Sequence, residues 1–304
     1  MSERATVPSV LSTSEGLNRA EFTPLDWTLF LSVSLIWGSS FVLMDIGLDA
    51  LSPGVITWLR VALGAAALNL SPHARVRIEP ADRLRLVVLS FVWVAIPFTL
   101  FPLAQQHIDS AVAGMLNGAM PLFAATLAAL MLRRLPRGPH LVGLLVGFVG
   151  VVAISLPTVG EGTSEALGVV LVLIATLCYG FAVNIATPIQ QRYGSMPLMA
   201  KMLTLAAIWT LPFAVADVGA SRFAWGPFAA IAFAGVVGTG AAFVIMATLV
   251  GRVGSTRASF ITYLIPVVAL ALGVAFRGDR VSGLAVVGVV LVIAGALLAS
   301  RRDR

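Results

Sequence analysis

Long apolar stretches alternate with short polar segments along almost the whole chain. A helix needs about 20 mainly apolar residues to cross the hydrocarbon core of a membrane. We predict spanning helices at Trp27–Gly47, Gly54–Leu70, Leu84–Gln105, Ser110–Leu132, Pro139–Leu156, Ala166–Pro188, Leu198–Val215, Trp225–Leu249, Ser255–Phe276 and Val281–Ser300. Gly, Ala and Pro occur throughout these stretches, and the strict alternation of a transmembrane β-barrel is absent. The pattern predicts an all-α integral membrane protein with ten transmembrane helices.

The composition agrees with this interpretation, since 59% of the residues are hydrophobic and only 11% are charged. A soluble domain carries about 25% charged residues. The chain has one cysteine, Cys178, so no disulfide can form within it. Residues 1–26 are too polar for the core of a signal peptide, and we expect a cytoplasmic tail there, with residues 301–304 as a second tail.

The basic residues predict the orientation of the helices. If the N-terminus is cytoplasmic, fifteen arginines lie in cytoplasmic segments and three lie on the other side. Cytoplasmic loops of membrane proteins are enriched in Arg and Lys. We therefore expect both termini inside the cell and a multi-pass protein of the bacterial inner membrane. The net charge of +6 then needs no nucleic-acid partner.

The two halves of the chain resemble each other. Residues 107–155 and 252–300 align without gaps at an offset of 145, and the alignment pairs Pro121 with Pro266 and three glycines with glycines. We predict a first five-helix repeat at 27–156 and a second at 157–300. Because five is odd, the second repeat must enter the membrane upside down, as in many transporters.

These features resemble the drug/metabolite transporter superfamily in its EamA-type ten-helix form. The resemblance rests on the WGSSF stretch at Trp37–Phe41, the prolines Pro121 and Pro266, and a glycine-rich fifth helix in each half. The stretch Leu116–Pro121 is similar to YddG-type bacterial exporters of aromatic and other neutral amino acids. The resemblance implies a central site lined by helices 1, 3, 4, 6, 8 and 9, and outward transport.

The chain departs from the family pattern at three places, which bear on the substrate more than on the fold. Arg133 and Arg134 stand where many relatives have a glutamate. Helix 9 ends in Arg277–Asp279, and Gln105–His107 replaces a tyrosine that many relatives have near the outer end of helix 3.

We single out three charged residues that fall within predicted spans: Asp45, Arg60 and Lys201. A charge inside the membrane is costly and is by default a functional candidate. We expect Asp45 and Arg60 to pair at similar depth, as a structural pair or as a gate, and Lys201 to reach towards the interface.

The two matched prolines indicate a site near the middle of the membrane. A proline frees the carbonyl four residues before it, here the carbonyls of Asn117 and Thr262. A freed carbonyl beside a polar side chain is an acceptor for a substrate amine, although neighbouring helices could also satisfy it.

A pocket lined by aromatic side chains, with a few polar groups that fix the orientation of the ligand, would suit an amphipathic solute such as an amino acid. The predicted substrate-binding residues are Trp37, Ser40, Met44, Phe101, Gln105, Asn117, Pro121, Tyr179, Asn184, Thr239, Phe243, Thr262, Tyr263 and Pro266.

Enzymatic motifs are lacking. The single lysine follows no glycine-rich phosphate loop, the three histidines are scattered, and no Gly-x-Ser-x-Gly motif occurs. We predict no catalytic residue, no metal site, no cofactor and no ATP or nucleic-acid partner; the partners are a small-molecule substrate and the bilayer.

The predicted function is secondary export, by alternating access, of small amphipathic metabolites, principally aromatic and other neutral amino acids. The alternatives are an efflux carrier for another class of metabolite or drug, a channel, and a membrane-embedded lipid-modifying enzyme. No carboxylate lies near the middle of a predicted span, so both proton coupling and facilitated efflux remain open.

Overall fold

The computed structural model describes residues 22–131, 138–253, 258 and 260–299, and these ranges contain helices and no strand. Helices interrupted by a π-helical turn or a bend are counted as one. In chain order they are α1 (Pro24–Leu48), α2 (Pro53–Asn69), α3 (Pro80–Ala104), α4 (Ser110–Met131), α5 (Gly138–Val159), α6 (Thr163–Tyr193), α7 (Ser195–Asp217), α8 (225–253), α9 (Ile261–Arg277) and α10 (Gly283–Ala299).

Seven of the described helices are long and apolar enough to cross a membrane: α1 and α3 to α8. α9 and α10 are shorter apolar helices of 17 residues each, and α2 also has 17. Three predicted spans include an end residue that lies outside the described residues, namely Leu132, Ser255 or Ser300. Residues 1–21 and 301–304 of the predicted tails also lie outside them.

Helix starts follow from local sequence. Thr23 caps α1: its hydroxyl accepts from the backbone N–H of Asp26, and the Asp26 carboxylate accepts from the backbone N–H of Thr23. Pro24 follows in the first turn, where its missing N–H has no helical partner to lose. Pro53 and Pro80 begin α2 and α3 in the same way.

Glycines let pairs of helices approach until their backbones touch. A Cβ at Gly143, Gly150, Gly288 or Gly295 would collide with backbone atoms across the interface between α5 and α10. Gly64 and Gly235 do the same between α2 and α8, where the added Cβ would strike Thr239 or Arg60. Small residues at such crossings are typical of helices packed in lipid.

Irregular turns lie in four of the helices that surround the centre of the bundle. α4 bends at Gly118 and Ala119, two residues before Pro121. π-helical segments occupy Ser90–Ala95 in α3, Ala234–Ala241 in α8 and Gly273–Arg277 in α9. Such segments often lie at functional sites, because they redirect side chains and free backbone groups.

The helix contacts show an orderly pattern. α1 packs against α8 and α9, and α6 packs against α3 and α4. α2 packs against α7, α4 against α9 and α5 against α10. Each of these last three pairs joins helices whose numbers differ by five.

Candidate functional site

Arg60 lies in the interior of the bundle, about 10 Å along α2 from its first residue. The residue is only 9% exposed. The guanidinium donates to the hydroxyls of Ser40 and Thr239, each at 3.4 Å, and to the sulfur of Met44 at 3.2 Å. We call these residues, together with Phe98, the Arg60 cluster; the Phe98 ring centroid lies 4.4 Å from the guanidinium carbon.

The expected pair between Asp45 and Arg60 is wrong. Asp45 forms an ion pair with Arg277, at the end of α9, and Arg277 also reaches Asp49. Consecutive residues of a helix point about 100° apart. Met44 therefore faces Arg60, whereas Asp45 faces α9.

No carboxylate within the described ranges lies within ion-pair distance of Arg60. Its oxygen partners lie at the long end of hydrogen-bonding distances, since N–H···O bonds cluster near 2.9–3.0 Å. Both hydroxyls also donate to carbonyls of their own helices, Ser40 to Ile36 and Thr239 to Ala234. Arg60 is thus a buried cation with weak, neutral partners.

Aromatic rings predicted for the site lie close to this cluster. Phe101 stacks on Tyr179 at a centroid distance of 5.9 Å and meets Phe41 edge to face at 5.5 Å. Phe101 follows Phe98, a member of the Arg60 cluster, by about one turn of α3.

Trp37 connects the rings to α8. Its ring lies 5.6 Å from that of Phe243, and its indole N–H donates to the carbonyl of Gly238 at 3.1 Å. Gly238 precedes Thr239, a member of the Arg60 cluster. The structure therefore brings seven of the predicted residues into one contiguous region, namely Trp37, Ser40, Met44, Phe101, Tyr179, Thr239 and Phe243.

Two amide oxygens have no hydrogen-bond partner within the described part of the chain: Gln105 Oε1 and Asn117 Oδ1. The amide nitrogen of Gln105 donates to the carbonyl of Phe41 at 2.9 Å, which ties the end of α3 to α1. Both oxygens are buried. A buried acceptor without a donor costs about 1–3 kcal/mol, so each is a candidate to accept a hydrogen bond from a ligand.

The bend of α4 that precedes Pro121 meets Pro266 at the contact between α4 and α9. Gly118 lies directly against the ring of Pro266, and a Cβ at this glycine would overlap that ring. Pro121 lies in the first turn of the second segment of α4, which begins at Met120 after the bend. Thr262 and Tyr263 lie in the first turn of α9, where the ring of Tyr263 is 5.8 Å from that of Phe260.

Asn184 connects α6 to α4. Its amide nitrogen donates to the carbonyls of Ala124 and Gly180, at 3.0 and 2.9 Å. Only its carbonyl oxygen would therefore be available to a ligand.

Phe98 is a member of the Arg60 cluster that the sequence pattern does not single out. It precedes Phe101 by one helical turn, so the two share a face of α3. That spacing was the available signal, but nothing in the sequence relates α3 to Arg60.

Ion pairs join helices at both ends of the bundle. At the end where α1 finishes, Arg277 binds Asp45 and Asp49. At that end the carboxylate of Asp279 also accepts a hydrogen bond from the hydroxyl of Ser110 at 2.7 Å. Burial and the nearby charge of Asp279 raise the pKa of Asp109.

At the other end of the bundle, Arg252 binds Asp26, and Arg192 binds Glu79 and Asp82. Among the described residues, no three His, Cys, Asp or Glu side chains are grouped to hold a metal.

Comparison with known proteins identifies one matching family, described as the EamA-like transporter family, over residues 27–156 and 166–301. The chain is 25% identical over 281 residues to a probable terminal-alkyne amino-acid exporter of Streptantibioticus cattleyicolor, covering 91% of this chain and 93% of the relative. It is 25% identical over 291 residues to an uncharacterised inner membrane transporter, YedA, of Escherichia coli, with the same coverage.

A solved crystal structure of a protein shares the fold, with a TM-score of 0.62 at 17% sequence identity. The match covers 90% of this chain and 97% of the other.

Proposed function

This chain belongs to the EamA-like transporter family, and we propose that it is a secondary exporter of aromatic and other neutral amino acids that works by alternating access. The predicted resemblance to the drug/metabolite transporter superfamily is thereby confirmed, and the chain is a multi-pass protein of the inner membrane. The family and the named relatives indicate transport rather than catalysis. The closer likeness to YddG-type exporters stays a prediction.

The architecture proposed for this function has ten spans in two inverted repeats, 27–156 and 157–300, with both termini in the cytoplasm. The helix contacts support it. An inverted repeat relates α1 to α6, α3 to α8 and α4 to α9. The packing of α1 against α8 and α9 then corresponds to that of α6 against α3 and α4.

The observation that carries the substrate proposal is the unpartnered amide oxygen of Asn117. Its burial is unfavourable unless a donor reaches it during the transport cycle. A substrate ammonium is such a donor, and Gln105 Oε1 offers a second acceptor of the same kind. The rings of Phe101 and Tyr179 would contact the apolar side chain of the substrate.

The ion pairs at the two ends of the bundle support alternating access. A carrier needs a closure on each side of its site that can break while the other holds. Arg277 with Asp45 and Asp49 would close the periplasmic side, and Arg252 with Asp26 would close the cytoplasmic side. The irregular turns in α3, α4, α8 and α9 provide places where these helices could bend.

Purified protein in liposomes tests the proposal. We would measure counterflow of a panel of labelled amino acids, with neutral drugs, amines and nucleotide sugars as other substrate classes. Counterflow of aromatic and neutral amino acids is expected, because a carrier with an occludable site exchanges its substrate whereas a channel does not. Counterflow of another class alone would overturn the substrate assignment.

An imposed proton gradient separates the two modes of coupling. Because the predicted spans contain no carboxylate near their middle, we propose facilitated efflux, in which the amino-acid gradient alone drives transport. Accumulation beyond the substrate gradient on imposing a proton gradient would overturn this part of the proposal.

A further inference from the structure

We propose that the guanidinium of Arg60 binds the carboxylate of the transported molecule, so that the transporter selects substrates that carry a free carboxylate. The inference deepens the function proposed above and rests on it. It assigns a role to a buried cation whose partner, from the sequence alone, is expected to be Asp45.

The first step of the argument is the cost of the charge. A cation within a membrane-embedded bundle is unfavourable unless it is paired or reaches water. Arg60 is 9% exposed and has no carboxylate partner among the described residues, and Asp45 is engaged by Arg277. The bundle therefore holds a cation that the described side chains leave uncompensated.

The second step is the chemistry of the surroundings. The donors of Arg60 meet two hydroxyls at 3.4 Å and a thioether sulfur at 3.2 Å. Hydrogen bonds from a guanidinium to a carboxylate are about 2.7–2.9 Å long and roughly twice as strong as neutral ones. A carboxylate could replace these contacts at little cost, since Ser40 and Thr239 also donate to carbonyls of their own helices.

The third step is the position of the cation. Its partners come from α1, α3 and α8, and Arg60 itself belongs to α2. Four helices thus converge on this group. The planar fork of an arginine matches the two oxygens of a carboxylate, which a lysine ammonium cannot do.

Two parts of the proposed site favour ligand groups of opposite charge: Arg60 favours an anion, and the amide oxygens of Gln105 and Asn117 favour a cation. The cation would take the carboxylate of a zwitterion, and the two acceptors would take its ammonium. A purely cationic amine would be repelled by Arg60, and a methyl ester would lose the charged hydrogen bonds.

The first experiment uses matched probes in the liposome counterflow assay. L-Phenylalanine is compared with its methyl ester and with phenethylamine, which lacks the carboxylate. We expect exchange of L-phenylalanine to exceed that of either analogue by about tenfold or more, because the lost contact is a charged hydrogen bond. Equal exchange of the ester would overturn the inference.

The second experiment uses variants of Arg60 and measures both transport and thermal stability, which the inference expects to change in different directions. Arg60→Met is expected to lower counterflow at least about tenfold while leaving Tm unchanged or raising it, because it removes an unpaired buried charge. Arg60→Lys is expected to retain only part of the activity. A purely structural Arg60 would instead lower Tm in Arg60→Met and leave the preference for the acid over the ester intact.

Lys201→Gln is the matched control, since Lys201 is the other cation singled out within the predicted spans and is partly exposed. Its selectivity between L-phenylalanine and the ester is expected to equal that of the wild type. A similar loss of selectivity in Lys201→Gln would contradict a specific role for Arg60.

A third measurement separates failure of the inference from failure of the proposed function. If no amino acid exchanges, thermal stability is measured with benzoate, phenylacetate and 3-phenylpropionate against their methyl esters. Stabilisation of the wild type by a carboxylate, but not of Arg60→Met, would support the site and reject amino acids as substrates. Equal effects of acids and esters would overturn the site itself.

Discussion

Arg277, at the end of α9, forms an ion pair with Asp45, near the end of α1, and holds together two helices that are far apart in the sequence. Both side chains are largely shielded from solvent, with 26% and 19% exposure. The arginine also binds both carboxylate oxygens of Asp49, each at 2.9 Å. The resulting cluster is suited to close the proposed periplasmic side.

Arg277→Ala is expected to favour the outward-open state, because it removes every ion pair of this cluster. The measurement uses Ser40→Cys in a Cys178→Ala background, which has no other cysteine. Labelling of intact cells by a membrane-impermeant maleimide should be several-fold faster in Arg277→Ala. Arg192→Ala, which breaks ion pairs at the opposite end, is the control and should not accelerate labelling from outside.

Asn117→Ala is expected to lower amino-acid counterflow by about tenfold, because a substrate ammonium would lose one acceptor. The Tm should hardly change, since the removed oxygen has no partner among the described residues. Tyr179→Ala should also reduce transport, through loss of the ring that stacks on Phe101. Wild-type rates in both variants would contradict the proposed site.

Asn69→Ala is the matched control for Asn117→Ala. Asn69 lies at the end of α2 and donates to the carbonyl of Ala65 and the hydroxyl of Thr204. Transport should therefore be preserved in this variant.

Gly288→Val should destabilise the protein by about 1–3 kcal/mol, the usual cost of overpacking. A Cβ at this position would collide with the carbonyl of Gly150 and the backbone nitrogen of Ile154, so α5 and α10 would have to move apart. Thermal unfolding in detergent measures the effect. Gly283→Ala, in the first turn of α10 with nothing within 4 Å of its Cβ, should leave Tm equal or slightly higher.

Reporter fusions test the ten proposed spans. Alkaline phosphatase should be active when it is fused after Glu161 or Gly219, in proposed periplasmic loops, and inactive after Gly194 or Arg304. A fluorescent protein that requires the cytoplasm should give the reverse pattern. Activity of the phosphatase at the C-terminus would contradict an even number of spans with both termini inside.

Much of the secondary structure could be predicted, because the relevant signals are local. Apolar length places the helices, and Pro24, Pro53 and Pro80 lie in the first turns of α1, α2 and α3. The turn in α4 at Gly118 and Ala119 lies beside Pro121, one of the two prolines that the sequence singles out. The composition of the site was partly accessible too, since aromatic and polar residues within apolar spans are few.

The sequence by itself determined that this chain is helical, apolar and built for a membrane, because these properties depend on residues close together in the chain. Only the tertiary structure decided which side chains meet. The helices are apolar on most of their surface, so the pattern does not indicate which face of one helix contacts another. For that reason Asp45 was predicted to pair with Arg60, fifteen residues away, although its partner is Arg277. The helix packing leaves Arg60 without a counter-ion among the described residues, and this uncompensated charge is the basis of the proposed carboxylate site.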